Sequence, residues 1–344
     1  MKSIIGPDNR VNYGVFDEPV NFNSEDFRLW NFFGKEIGGF RKRWAFHAFN
    51  YLGISFGDYF VGFAAVRLGY LNTVFAYVYQ FGKGLVAQYD AKNPGNMFLD
   101  LPANPDEYAI KFKKGGSFLN LSKSHANKTL SADANFSGKI EVSLNARYGL
   151  DIQTPLRVLN PSEPFRFTFT EKAAPILCDA VSVKLNGKEL VEDPSRVTIL
   201  YDWSGGYLRR ETNWYWAAFS GFGKNPAGAE VPVGANFAAL TNEAFFSENA
   251  FWAGVGKRSR VSRVIFEFSA QEPYKPWHLW DEAKNVDLVF TPQGERSEKV
   301  NAVLLKTWFR QFFGSYSGTL TPPGGEPVTL KDVHGVSEFH RALW

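Results

Sequence analysis

Residues Gly138–Tyr148 read GKIEVSLNARY. Ile140, Val142, Leu144, Ala146 and Tyr148 are apolar at every second position, while Lys139, Glu141, Ser143, Asn145 and Arg147 fill the gaps. A period of two puts these sets on opposite faces of a strand, one buried and one wet. Working outward, Phe165, Phe167 and Phe169 repeat the pattern, and Ile110, Phe112, Phe118, Leu119 and Leu121 bracket a KKGG turn. Asn186-Gly187 between alternating flanks predicts a hairpin. The runs DYFVGFAAVRLGY and LNTVFAYVYQF predict adjacent antiparallel strands joined at Gly69–Asn72. RLWNFFGKEIGG reads as one strand ending at Gly38-Gly39, followed by a strand through RKRWAFHAFNYLGISF. Helical periodicity is scarce; Glu243–Trp252 and Val336–Trp344 are the places for a turn or two of helix. Strands are expected over Val197–Tyr201, Arg210–Ser220, Val261–Ser269, Val286–Phe290, Val300–Thr307, Phe312–Leu320 and Val328–Leu330. Many short strands separated by Gly and Pro turns mean an all-β fold of barrels or sandwiches.

The chain has 344 residues, enough for one large or two fused units. Pro155, Pro161 and Pro164 mark a linker, so the expected division is 1–155 and 156–344. Aromatic residues make up 17%, including 33 Phe and 10 Trp, which suits pleated sheets with ring-lined interiors. A formal charge of +3 is too balanced for a general nucleic-acid binder. Arg41–Arg43 is the densest basic cluster, a solvated face by default and a phosphate or membrane-surface contact by exception. The single Cys178 allows no intrachain disulfide and no Cys-rich metal site, and the histidines form no HExxH pattern, so no metal and no cofactor are expected. No GxSxG elbow, phosphate loop or dinucleotide fingerprint is present. MKSIIGPDNR lacks the apolar core of a signal peptide, and Tyr59–Val66 is too short to span a bilayer. A soluble cytoplasmic setting without stable membrane insertion is therefore expected; oligomeric state is not legible.

Tyr201–Phe219, YDWSGGYLRRETNWYWAAF, gathers charge and indole in one span. Such a mixture suits the wall of a ligand cavity, where aromatic sides carry a few convergent polar groups; a salt-bridged core strand is the alternative. If the segment is a strand, one face carries Arg210, Thr212, Trp214 and Trp216, and the other Glu211, Asn213, Tyr215 and Ala217. A carboxylate among rings has its charged form disfavoured and can donate a proton near neutrality. Asp202, Glu211 and Glu248 are the catalytic candidates, with Glu243 and Glu338 further carboxylates that could do the same acid–base work. Trp203, Arg210, Thr212, Trp214, Trp216, Asn236, Trp252, Glu338 and His340 are the ligand-binding candidates. Turn capping at Asp202, a helix-start role for Glu248 and internal pairing of Arg210 are the structural alternatives.

DWSGG at Asp202–Gly206, NWYWA at Asn213–Ala217, VGAN at Val233–Asn236, ENAFW at Glu248–Trp252, FFGSYSG at Phe312–Gly318 and GVSEFHRALW at Gly335–Trp344 together resemble the bacterial domain of unknown function 2804 family. More distantly the chain resembles the two-domain lipocalin-like (calycin) group of carotenoid hydratase-like and fungal pericyclase-like proteins. That resemblance implies two lipocalin-like β units, apolar polyene, terpenoid or polyketide ligands, and chemistry that often needs no cofactor. No Asp/His acid–base set of the hydratases aligns onto this sequence. Three functions are expected in turn. The first is cofactor-free acid–base chemistry (hydration, isomerisation or cyclisation) on an elongated apolar small molecule. The second is a non-catalytic lipid carrier, and the third a carbohydrate-binding or carbohydrate-modifying β-protein.

Overall fold

The computed structural model describes residues 1–241, 246–301 and 306–343. Among the described residues, three antiparallel sheets of seven, eight and nine strands build the molecule, with two small two-stranded sheets near the N-terminus. The fold is all-β, as the alternation implies. Ile140–Arg147, the strand that opened the reading, sits inside the seven-stranded sheet between Thr129–Phe136 and Ala180–Leu185. Its apolar set is buried and most of its polar set faces water. The Asn186-Gly187 hairpin forms, with both residues at positive φ, which these two types tolerate. Tyr59–Arg67 and Leu71–Gln80 pair antiparallel through the expected turn.

The eight-stranded sheet runs in the order Gly14–Val15, Leu156–Glu163, Arg166–Leu177, Thr198–Tyr207, Phe46–Phe56, Tyr59–Arg67, Leu71–Gln80, Gly84–Pro94. One of its faces closes on the seven-stranded sheet around a core that includes Phe63, Phe112, Phe136, Tyr201 and Trp203. The other face lies against the nine-stranded sheet through Tyr51, Phe60, Tyr77, Tyr79, Trp216, Trp252 and Phe313. The edge strands of the nine-stranded sheet, Arg258–Val261 and Ile265–Glu267, are consecutive in sequence, so the sheet curls back on itself. Phe219, Phe251, Trp277, Phe290 and Tyr316 fill that curl. Being covered on both faces explains why Phe46–Phe56 is apolar on both, with only Phe49 half-buried.

Several expectations need correction. Leu156–Glu163 and Arg166–Leu177 belong to the same sheet as Phe46–Phe56, so a boundary at 155/156 would cut through it. The sheets divide instead between Tyr207 and Glu211. RLWNFFGKEIGG is a small hairpin: Leu29–Trp30 pairs with Glu36–Ile37. Asn31 folds the turn, its side-chain oxygen accepting from the amides of Phe33 and Lys35 at 3.0 and 2.9 Å. Gly39–Ala45 is a short helix, and the strand starts only at Phe46; Arg, Lys and Ala favour helix where no neighbouring strand competes. Val336–Leu343 is strand, because Val328–Leu343 finds partners on both sides in Glu211–Lys224 and Lys306–Leu320. Glu243 and part of the expected strand at 300–307 lie outside the described residues.

Candidate functional site

Alternation in Glu211–Lys224 decides what faces the seam between the eight- and nine-stranded sheets. Thr212, Trp214, Trp216 and Ala218 share a face, and the last three join the seam cluster. Glu338 lies in register opposite Trp216 on one neighbouring strand and opposite Gln311 on the other. Its carboxyl accepts from Trp214 Nε1 at 3.1 Å and from Gln311 Nε2 at 2.6 Å. Burial pushes this acid up to about 7; the two hydrogen bonds hold it down in part, and Asp202 nearby pushes it further up. Glu338 is therefore about half protonated at pH 7 and mostly protonated below it. It is 8% exposed, and half-buried Phe49, Phe75 and Trp214 pack against the same cluster.

The facing sheet contributes Tyr51 and Tyr77, whose hydroxyls lie 2.7 Å apart, with Tyr51 edge-on to Trp216 at 5.9 Å between centroids. Burial raises both phenols well beyond their usual range, so both stay neutral donors. Asp202 is ion-paired with Lys172, its register partner. Arg296 bonds Asp90 at 3.0 Å and lies over the rings of Phe75 and Tyr77. Asn236 accepts from Trp216 Nε1 at 2.8 Å and donates to the Glu248 carbonyl at 2.7 Å, tying two strands to the residue that precedes a third. The His340 ring packs on Trp214 at 4.1 Å, and its Nε2 is 2.7 Å from Thr307 Oγ1. Burial lowers this imidazole to about 3, so it is neutral.

The seam thus brings together Asp202, Trp214, Trp216, Asn236, Trp252, Glu338 and His340. Other expected site residues lie elsewhere. Trp203 points to the opposite face, packed edge-on against Phe22 and Phe169 in the first core, and is no cavity wall. Arg210 is exposed, and Glu211 is exposed beside Arg341 at 3.7 Å; water solvates both, so neither can bind or act inside the seam. Thr212 is buried but donates to the Arg209 carbonyl at 3.2 Å. Trp252 donates to the carbonyls of Gln153 and Thr154, each at 3.2 Å. Glu248 is buried at the head of Asn249–Ala253 rather than at a helix start, and its carbonyl is committed to Asn236. Gln311, Tyr51, Tyr77 and Lys172 were not singled out from the sequence. Gln311 alone carried a signal, as an amide heading the aromatic QFFGSY run.

A second buried polar assembly occupies the first core. Glu171 is ion-paired with Lys123 and, at 3.0 Å, with Arg157, and accepts from Tyr148 Oη at 2.7 Å. Burial alone would raise Glu171, but Lys123, His125 and Arg157 reverse this and hold it well below the usual carboxylate range. Ligand atoms of Asp106, His125 and Glu171 lie within 4.8 Å of one another, a spacing that could hold a cation. Arg157 already pairs with Asp106 as well as Glu171, and Lys123 lies over the Tyr201 ring at 4.8 Å, so a metal ion would meet two buried positive charges. The donor set does not fit one. His125 also borders an open concavity of about 470 Å³ with Asp17, Leu150, Thr154 and Arg258. A second, of about 390 Å³, lies on the outer sheet around Lys111, Asn120 and Asp133. Neither is lined by the seam tryptophans.

Comparison with solved structures finds the same architecture. CghA superposes with a TM-score of 0.54 over 100% of this chain and 96% of its own, at 10% identity. CghA with Sch210972 gives 0.51 over 99% and 96%, at 9% identity. Kievitone hydratase from Nectria haematococca gives 0.49 over 87% and 88%, at 13% identity. At such identities the likeness is one of fold. A sequence search of curated proteins finds no match. The family model described as a domain of unknown function (DUF2804) matches residues 23–344, and the chain belongs to that family.

Proposed function

We propose that the seam between the eight- and nine-stranded sheets holds an elongated apolar small molecule of terpenoid, polyene or acyl type. There Glu338 serves as general acid for cofactor-free hydration, isomerisation or cyclisation. The observation that carries this reading is the Glu338 carboxyl, pushed up to about 7 by burial. An acid with a pKa near ambient pH is suited to proton transfer. Each of its oxygens already accepts one N–H, so the acid proton is what remains to offer a guest. The indoles of Trp214 and Trp216 and the neutral phenols of Tyr51 and Tyr77 supply faces that favour positive charge on a reacting carbon framework. The seam side chains are packed against one another, so a guest must displace some of the half-buried rings packed on the cluster, such as Phe49, Phe75 and Trp214. The burial of the seam indoles Trp216 and Trp252 favours an occluded guest over an exposed sugar groove.

Native mass spectrometry with extraction of what co-purifies tests the ligand class. Turnover of that compound by Glu338→Gln tests the chemistry. Loss of at least about 100-fold in kcat with binding retained supports the acid role. Unchanged turnover removes it, and binding without any turnover in the wild type makes the protein a carrier.

A further inference from the structure

One end of the eight-stranded sheet carries aromatic side chains that the fold does not bury. Phe32 and Phe33, at the tip of the Leu29–Ile37 hairpin, are 96% and 89% exposed. Phe40 and Trp44 project from the Gly39–Ala45 helix, rings 4.5 Å apart, and are exposed as well. A separate turn brings exposed Met97 and Phe98 to the same end. The link is physical: a side chain at Gly69 would strike the Trp44 carbonyl at 2.0 Å, and the neighbouring Tyr70 carbonyl accepts from Gly95 N at 2.8 Å. Burying such rings is worth far more than exposing them, and soluble chains seldom display a cluster like this without a use for it.

Basic residues are interleaved with these rings. Arg41, Lys42 and Arg43 lie between Phe40 and Trp44. Lys114 sits over the Phe98 ring at 5.6 Å, next to Lys113, whose amide bonds the Phe98 carbonyl at 3.0 Å. Acids at this end are Glu25, Asp26, Glu36 and Asp100, fewer than the bases once Lys35 is counted. A second copy of the chain would bring the same positive charges face to face, and protein interfaces bury few lysines. A bilayer surface satisfies both components: aromatic rings settle among headgroups and acyl chains while Lys and Arg meet lipid phosphate.

We infer that this end of the first sheet is a peripheral membrane-docking surface for anionic phospholipid. Phe32, Phe33, Phe40 and Trp44 insert into the interface, and Arg41, Arg43 and Lys114 contact the headgroups. No helix among the described residues is long and apolar enough to cross a bilayer, and the proposal concerns surface attachment only. It does not rest on what the seam binds.

Co-sedimentation of the whole protein with phosphatidylcholine vesicles, with and without phosphatidylglycerol, tests it. Binding is expected with phosphatidylglycerol and should weaken as salt is raised. Phe32→Ser/Phe33→Ser should lower the partition coefficient by at least about tenfold, and Arg41→Glu/Arg43→Glu by a similar factor. Because these side chains are exposed, the melting temperature of both variants should match wild type, which separates lost docking from lost folding. Equal partition of wild type and Phe32→Ser/Phe33→Ser overturns the proposal. So does absence of vesicle binding, including the case where the rings instead mediate a dimer that the double variant abolishes.

Discussion

Glu171 and Glu338 are the same side chain, both buried, on opposite sides of one sheet system, and their carboxyl pKa values are displaced in opposite directions. Glu171 faces Lys123, Arg157 and His125, and these cations overcome burial and keep it ionised. Glu338 faces an indole N–H, a carboxamide and the nearby Asp202, with Arg296 a lesser influence, and burial wins. Desolvation is common to both; the number of cations within reach decides whether a buried carboxylate becomes a structural anion or a proton donor. The first assembly is a closed ion-pair set that fixes the core between the seven- and eight-stranded sheets. The second holds an acid that titrates near neutrality beside the half-buried Trp214 indole.

Removing a cation from the first assembly should break this contrast most severely. Lys123→Met leaves Glu171 short of a partner in a dry core and should cost about 3–5 kcal/mol, read as a drop in the denaturant midpoint. Its unfolding should also become less acid-sensitive, because Lys123 is the largest of the cations that hold Glu171 down. A folded pKa below the ordinary 4.5 contributes stability above that value and forfeits it as pH falls through the folded pKa. A drop below about 1 kcal/mol would mean that the Arg157 and His125 contacts suffice.

Glu338 should show the opposite slope. Folded, it keeps its proton up to about pH 7; unfolded, it gives the proton up near the ordinary 4.5. The native state therefore binds more protons between these values. Its contribution is complete below about 4.5 and gone once pH has risen through about 7, a span of about 3 kcal/mol at 1.36 kcal/mol per unit. Glu338→Gln should abolish this slope, so unfolding midpoints of variant and wild type should diverge in the variant's favour as pH rises. A constant difference would show that Glu338 titrates as an ordinary carboxyl. The smallest effect belongs to the expected acid that proved to be outside. Glu211→Gln removes an exposed contact to Arg341 and should change stability by less than about 0.5 kcal/mol and turnover not at all.

Periodicity made the sheets legible wherever one face is wet, as in Ile140–Arg147, and turn chemistry gave the Asn186-Gly187 hairpin. It failed at Gly39–Ala45, because aromatic residues spaced like a strand's run straight from that helix into Phe46–Phe56. It failed at the sheet division because Pro161 sits inside a paired strand, at a bulge, and so looks like a linker residue. In the site, the face bearing Trp214 and Trp216 was readable from alternation. Which carboxylate sits opposite was not. Glu338 reaches Trp214 across 124 residues and Gln311 across 27, and no local pattern records pairings of that range. Lys123, Arg157 and Glu171 were invisible for the same reason: each looks like an ordinary wet-face charge in its own strand.

The strand Thr198–Tyr207 sends Tyr201 and Trp203 into one interior and Leu200 and Asp202 toward the other. A gene cut at residue 208 would therefore yield two fragments, each with a bare greasy wall: Phe60, Tyr77 and Leu200 on the first, Trp216, Trp252 and Phe313 on the second. Neither half is a tradable module. Chimeras between relatives should succeed only when both walls are inherited from the same parent.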